Sequence, residues 1–284
     1  MKVWLDGNLV DKADAKLSVF DHGTLYGDGV FEGIRAYGGK IFQCQAHMDR
    51  LFLSAKKIRL EIPYTKQEIV DAMMQTMAAN GVVNGYIRLV VTRGEGTLGL
   101  GPNRCPRGSV FAIADQIELY PREMYEKGMP VIIAKTRRTS ATMLDPSIKS
   151  LNYLNNIMAK VEALDAGVGE AIMLNEHGEV GEATGDNVFI VKDEAVLTPP
   201  PSAGILLGVT RGVVLGLAGK LGLAVREQTI MPQDLYGADE CFLTGTAAEI
   251  IPVTKIDNTS VGGGKVGPIT LRLTKAFHEM IREK

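Results

Sequence analysis

A lysine ahead of a predicted helix, a carboxylate among glycines and two Gly-Thr pairs are the residues of this chain whose types could do chemistry together. Lys149 stands in Asp145-Pro-Ser-Ile-Lys149-Ser-Leu-Asn-Tyr153, after a proline turn, with Ile148 and Leu151 as flanks that favour partial burial. Burial lowers an amine's pKa, and the neutral amine is the form that condenses with a carbonyl. A surface lysine lying over apolar neighbours would leave the same local pattern. Glu182, in Val180-Gly-Glu182-Ala-Thr-Gly-Asp-Asn187, sits between small residues that leave room for a flat ligand; a solvated turn carboxylate fits the stretch equally. Gly208-Val-Thr-Arg211 and Gly245-Thr-Ala-Ala248 each read as a helix start, where unpaired N–H groups and the positive dipole end suit a phosphate or carboxylate. Ordinary capping explains either start alone. It does not explain both together with Lys149, Glu182 and an arginine at Arg50.

Other chemistries fail on spacing. The histidines His22, His47, His177 and His278 pair neither with one another nor with Cys44, Cys105 or Cys241, so no metal site and no Cys-His nucleophile is expected. Gly94-Glu-Gly-Thr-Leu-Gly99 matches a dinucleotide fingerprint, but Leu100-Gly-Pro102-Asn cannot continue as the required helix, so a loop is expected. Gly262-Gly-Gly-Lys265 lacks the rest of a P-loop, and no GxSxG elbow occurs. Thirty-one basic against 33 acidic residues, mixed along the chain, leave a net charge of -2, which argues against a nucleic-acid binder. No apolar run reads as a signal peptide or a membrane span, since the most apolar stretch is broken by Arg211. The odd, scattered cysteines fit a reducing compartment, and a cytoplasmic location is expected.

These residues need elements to hold them. At 284 residues the length suits two domains. Strand patterns at 1–5, 29–37 and 40–43 precede helical stripes at 47–58 and from Thr65, where Thr65-Lys-Gln-Glu68 is a capping box. Strands at 86–92 and 110–117 follow. The second half reads as strands at 131–136, 171–174, 187–192 and 195–197, with helices at 151–166, 210–221, 246–251 and 268–282. Strands and helices do not alternate strictly, so the fold class is α+β (irregular α/β) rather than a doubly wound sheet. The expected division is a small domain over 1–120, an interdomain linker over 121–130 and a large domain over 131–284.

The ordered motifs Tyr26-Gly-Asp-Gly-Val-Phe31-Glu-Gly-Ile-Arg35, His47-Met-Asp-Arg50-Leu, Tyr86-Ile-Arg88, Lys149-Ser-Leu-Asn-Tyr153, Gly181-Glu-Ala-Thr-Gly-Asp-Asn187, Gly208-Val-Thr-Arg211 and Gly245-Thr-Ala-Ala-Glu-Ile250 resemble those of the branched-chain aminotransferases. These are class IV, fold-type IV enzymes that use pyridoxal 5'-phosphate (PLP), and the resemblance spans essentially the whole chain. It implies two domains, each a sheet with flanking helices, the second binding PLP. It implies further that Lys149 carries the cofactor and moves the proton, that Glu182 pairs with the pyridine nitrogen, and that Tyr153 bonds the phenolic oxygen. Arg50, Val209, Thr210, Gly245 and Thr246 would hold the cofactor, chiefly its phosphate.

For substrate, the resemblance implies Tyr86 with the amides of Thr246 and Ala247 at the α-carboxylate, and Tyr26, Phe31 and Arg88 at the side chain. The implied reaction exchanges the amino group between L-leucine, L-isoleucine or L-valine and 2-oxoglutarate. The implied assembly is a homodimer or higher homo-oligomer, with residues 98–102 of a neighbouring copy closing the pocket. Lys149-Ser-Leu-Asn is equally similar to some archaeal relatives and to D-amino-acid aminotransferases, which leaves D-amino-acid or (R)-amine transamination as the alternative. The stretch after Arg93-Gly94 lacks the Arg-x-His of the D-enzymes, and Gly267-Pro-Ile-Thr270 is a branched-chain feature.

Overall fold

In the computed structural model, which describes Met1–Arg282, the chain divides into two compact units. Among the described residues the first comprises Met1–Ile117 and Ile148–Asn152, and the second Glu118–Ser147 and 153–282. The expected linker at 121–130 is instead largely regular structure, and the short stretch that carries Lys149 returns to the first unit.

The first unit holds β1 (Lys2–Leu5), β2 (Asn8–Asp11), α1 (His22–Tyr26), β3 (Gly29–Tyr37), β4 (Lys40–Ile41), α2 (Cys44–Lys57), α3 (Lys66–Ala79), β5 (Gly85–Thr92) and β6 (Ser109–Asp115). Its six strands form one sheet in the order β2-β1-β6-β5-β3-β4, antiparallel at every pairing. The strand period of two sorts the side chains. Val30, Ile34 and Ala36 of β3, Ile87, Leu89 and Val91 of β5, and Val110, Ala112 and Ala114 of β6 share a core with Met48, Leu51 and Ala55 of α2 and Ile69 and Met73 of α3. The other face carries Phe31, Gly33 and Arg35 opposite Val90, Arg88 and Tyr86. The start of α3 is the expected capping box: Glu68 N–H donates to Thr65 Oγ1 at 3.2 Å, and Thr65 N–H to Glu68 Oε2 at 2.7 Å.

The second unit holds α4 (Arg122–Lys127), β7 (Met129–Ile133), α5 (Leu154–Asp165), β8 (Glu170–Leu174), β9 (Val180–Ala183), β10 (Asn187–Lys192), β11 (Ala195–Thr198), α6 (Val209–Lys220), β12 (Val225–Glu227), α7 (Pro232–Tyr236), β13 (Glu240–Gly245), β14 (Glu249–Ile256), β15 (Thr259–Ser260) and α8 (Pro268–Arg282). Its sheet runs β12-β11-β10-β13-β14-β7-β8-β9, and β9 pairs back onto β10 where Glu182 meets Asn187, so six of these strands close a ring. Met129, Val131, Ile172, Val188, Ile190, Leu243, Ile251 and Val253 contribute to its core.

The helix expected at 246–251 is absent. The chain turns through residues 245–248 and continues as β14, because Ile250-Ile-Pro-Val253 is β-branched and carries a proline that a helix interior would not accept. No helix among the described residues is long and apolar enough to cross a membrane.

Candidate active site

The site residues fall into two groups, one in each unit. In the first unit, β4 covers only the end of β3 at Ala36 and Tyr37, which leaves the edge at Gly29–Phe31 open to residues 149–151. Phe31 N–H donates to Lys149 O at 3.0 Å, Leu151 N–H to Gly29 O at 3.0 Å, and Ser150 forms an antiparallel bridge with Val30. Ser54 Oγ of α2 accepts from Lys149 N–H at 3.2 Å. The lysine backbone is therefore pinned on two sides. Its Nζ lies 4.4 Å from the Phe31 ring centroid.

Phe31 also carries the Arg88 guanidinium, 4.7 Å from its centroid, and Arg88 lies 5.6 Å from the Tyr86 ring with Nη2 donating to Tyr86 Oη at 3.4 Å. An apolar ring and a fixed cation thus share the helix-free face of the sheet. The bare Gly33 makes the arrangement possible, because a Cβ there would sit 1.7 Å from Tyr86 Oη. Tyr26 ends α1, and its Oη accepts from Gly99 N–H at 3.0 Å, while His22 Nε2 meets Thr97 O at 2.9 Å. These two bonds tie the glycine-rich loop to α1, and that loop is irregular, as expected, rather than a nucleotide fingerprint.

Arg50, named from sequence as a phosphate ligand, grips a carboxylate that the motifs did not single out. Glu32 accepts from Arg50 Nε at 2.8 Å and Nη2 at 2.7 Å, and from His47 Nδ1 at 2.8 Å. Glu32 is fully buried. Burial alone would push its carboxyl up, but Arg50 and then His47 outweigh it and hold the group down at about 2. Burial dominates at His47 and lowers its imidazole, against the raising influence of Glu32. Glu32 was legible after all: it shares the inward register of Val30, Ile34 and Ala36, where a charge is out of pattern.

In the second unit Glu182 is buried on β9, and its oxygens accept from Arg138 Nε at 2.8 Å, Leu206 N–H at 3.0 Å and Asn187 Nδ2 at 3.2 Å. Arg138 also donates to Asn156 Oδ1 at 3.2 Å, and Asn156 donates to Thr184 O at 2.9 Å. Charged and neutral donors on a buried carboxylate favour its ionised form. Arg138 had no signal in the sequence, since it lies 44 residues from the group it serves.

Tyr153 caps the start of α5 by position without a side-chain cap bond. Gly208 is the N-cap of α6 and offers no side chain, so no side-chain cap satisfies the first-turn amides of Val209 and Thr210. A Cβ at Gly208 would lie 2.1 Å from Asn187 Oδ1, and one at Gly245 would lie 1.8 Å from Asp186 Oδ1. Thr246 and Ala247 sit in the turn between β13 and β14, beside Thr244, whose buried Oγ1 has no hydrogen-bond partner. The second unit therefore offers an anion-seeking helix terminus, an unsatisfied hydroxyl and a held carboxylate. No group of His, Cys, Asp and Glu among the described residues could hold a metal ion.

The family model for amino-transferase class IV matches residues 29–256. A protein of Methanocaldococcus jannaschii, named provisionally as a branched-chain-amino-acid aminotransferase, is 49% identical over 280 residues, covering 99% of this chain and 96% of its own. The crystal structure of the Escherichia coli branched-chain amino acid aminotransferase superposes with a TM-score of 0.96 at 35% identity, covering 99% of this chain and 94% of that one. The branched-chain amino acid aminotransferase of Thermobaculum terrenum, in its PLP-bound form, gives a TM-score of 0.87 at 30% identity, covering 99% of this chain and 94% of that one. With a family match over most of the chain and relatives this similar along its whole length, the protein belongs to the class IV amino-transferases.

Proposed function

We propose that this protein is a PLP-dependent branched-chain-amino-acid aminotransferase. It exchanges an amino group between L-leucine, L-isoleucine or L-valine and 2-oxoglutarate, giving the branched-chain 2-oxo acids and L-glutamate. The observation that carries the reading is the pairing of Arg88 with the Phe31 ring beside Lys149 Nζ, because the reaction must accept an apolar side chain in one half and a γ-carboxylate in the other. The relatives at 36–49% identity carry the branched-chain name, and nothing among them favours a D-amino-acid or (R)-amine substrate.

The residue types present suit PLP group by group, each in the role its family motif implies. Lys149 supplies the amine for the aldehyde carbon, Glu182 the carboxylate for the pyridine nitrogen, and Tyr153 a hydroxyl for the phenolic oxygen. The Val209 and Thr210 amides and Thr246 with Gly245 would receive the phosphate, and Arg50 is the cation the family motif assigns to it. Bound PLP supplies an electron sink that stabilises negative charge at the substrate's Cα.

Glu182, oriented by its hydrogen bond from Arg138, would hold a proton at the pyridine nitrogen, the form in which the ring withdraws electrons. Lys149, with its backbone pinned to β3 and α2, would take the proton from Cα and deliver it to the cofactor's C4' carbon in the first half-reaction, and would carry a proton from C4' to Cα in the second. Tyr86 and the Thr246 and Ala247 amides orient the α-carboxylate. Arg88, with Tyr26, receives the γ-carboxylate, while Phe31 packs against the aliphatic side chain.

A homo-oligomer, dimer or larger, suits helix α5. Leu154, Ile157, Met158, Val161 and Leu164 form one stripe on it and are 40–69% exposed, an apolar face ending at Asp165 that a second copy would cover. The three cysteines are free thiols, which suits the reducing cytoplasm.

The test is the visible spectrum of the PLP-loaded protein after separate additions of L-leucine and D-alanine without an oxo acid. The band of the lysine-bound cofactor should disappear with L-leucine alone. Disappearance with D-alanine alone would move the activity to D-amino acids.

A further inference from the structure

We propose that Glu32, braced by His47, is a positioning residue that fixes the Arg50 guanidinium for the cofactor phosphate. The inference rests on Arg50 as a phosphate ligand, part of the function proposed above.

Glu32 stands on the inner face of β3, in register with Val30, Ile34 and Ala36, where an aliphatic residue would complete the core. A buried ion pair there is a poor stabilising device compared with well-packed apolar side chains. What it does provide is direction. The Glu32 carboxylate spans Nε and Nη2 of Arg50, a two-point contact that fixes the plane of the guanidinium as well as its place. His47 stands three residues before Arg50 on α2, so both side chains reach the same carboxylate. Its Nδ1 donates to Glu32 Oε2, the oxygen that Arg50 Nη2 also uses, and so fixes the carboxylate in turn.

One helix face therefore does two jobs. His47 and Arg50 engage Glu32, and Ser54, on the next turn, holds the backbone of Lys149. An arginine left to explore its rotamers would lose entropy on meeting the phosphate, and a guanidinium already locked in place loses less. The rival effect is charge: Glu32 also partly neutralises Arg50 and so weakens its pull on an anion. Orientation outweighs neutralisation here.

The experiment measures equilibrium binding of PLP, of pyridoxal, which lacks the phosphate, and of inorganic phosphate to the apoprotein. Glu32→Gln should raise the Kd for PLP about tenfold or more, the scale of a hydrogen bond to a charged group. It should weaken inorganic phosphate likewise and leave pyridoxal little changed. In an Arg50→Ala background the same substitution should have no further effect on PLP. If Arg50→Ala itself leaves PLP binding unchanged, the phosphate role of Arg50 fails and takes the proposal with it. If Arg50→Ala weakens PLP but Glu32→Gln does not, or tightens it, Glu32 does not position the arginine and the proposal alone is overturned. Equal losses for PLP and pyridoxal would show a general structural role and would also overturn it. Should Glu32→Gln not fold by circular dichroism, His47→Gln keeps the ion pair and removes one brace: a smaller rise confined to PLP and phosphate supports the proposal, and no rise refutes it.

Discussion

At the scale of single residues the buried pair Glu32 and His47 ties stability to pH. His47 ordinarily titrates near 6.5 and is lowered in the fold, so below that pH the unfolded chain binds a proton the folded chain resists. Stability from this residue is whole above pH 6.5 and drains as the pH falls, by at most about 1.4 kcal/mol per pH unit. Glu32, ordinarily at 4.5 and held at about 2, adds a second loss that begins only below 4.5. Urea unfolding followed from neutral pH down to about pH 5, across the His47 range and above that of Glu32, should show a shallower acid decline in His47→Gln than in the wild type. Parallel declines would mean His47 takes no part in acid unfolding. Lys149, Glu182 and Arg50 stood out in the sequence because a reactive type sat in an apolar or glycine-rich setting or in a motif. Arg138 did not, because its contribution is a hydrogen bond to a carboxylate, and no local pattern encodes a partner 44 residues away.

Among the elements, α5 makes the clearest physical demand. Its inner face buries Asn156, Ala159 and Ala163, small side chains that let it lie close on the sheet, while the outer stripe of five large apolar residues lies open. Replacing Ile157 and Val161 together with Asp should lower the mass measured by sedimentation or light scattering, since two charges cannot be buried unpaired in an apolar contact. An unchanged assembly mass would place the subunit contact elsewhere. The capping box of α3 and the stripe of α2 were readable because helix starts and amphipathic faces are written in neighbouring residues. The turn at 246–248 was misleading: Gly245-Thr-Ala-Ala248 resembles a helix start, although the β-branched, proline-bearing Ile250-Ile-Pro-Val253 after it favours a strand, which the pairing of β14 with β13 and β7 completes. Gly208 met the opposite fate, because α6 does begin after it and no side chain caps its amides.

For the whole molecule, cofactor binding is expected to act on stability by mass action. At a hundred times its Kd, PLP adds about 2.7 kcal/mol, a rise in Tm of roughly 5 °C for a chain of this size. Lys149→Ala should abolish turnover yet retain part of that rise through the phosphate contacts. No PLP-dependent rise in that variant would mean the lysine bond carries the binding alone. The sequence by itself determined the chemistry and the fold class, because reactive residue types, strand and helix periods and an ordered series of motifs are local features. It also determined the absence of charge blocks and of paired metal-ligand spacing. The tertiary structure decided what each side chain meets: that Arg50 shares Glu32 with His47, that Arg138 holds Glu182, and that residues 148–152 leave the second unit to pair with β3. Such partnerships depend on strand register and on which chain segments return to which sheet, and those are set by the packing of the whole core rather than by any stretch of neighbouring residues.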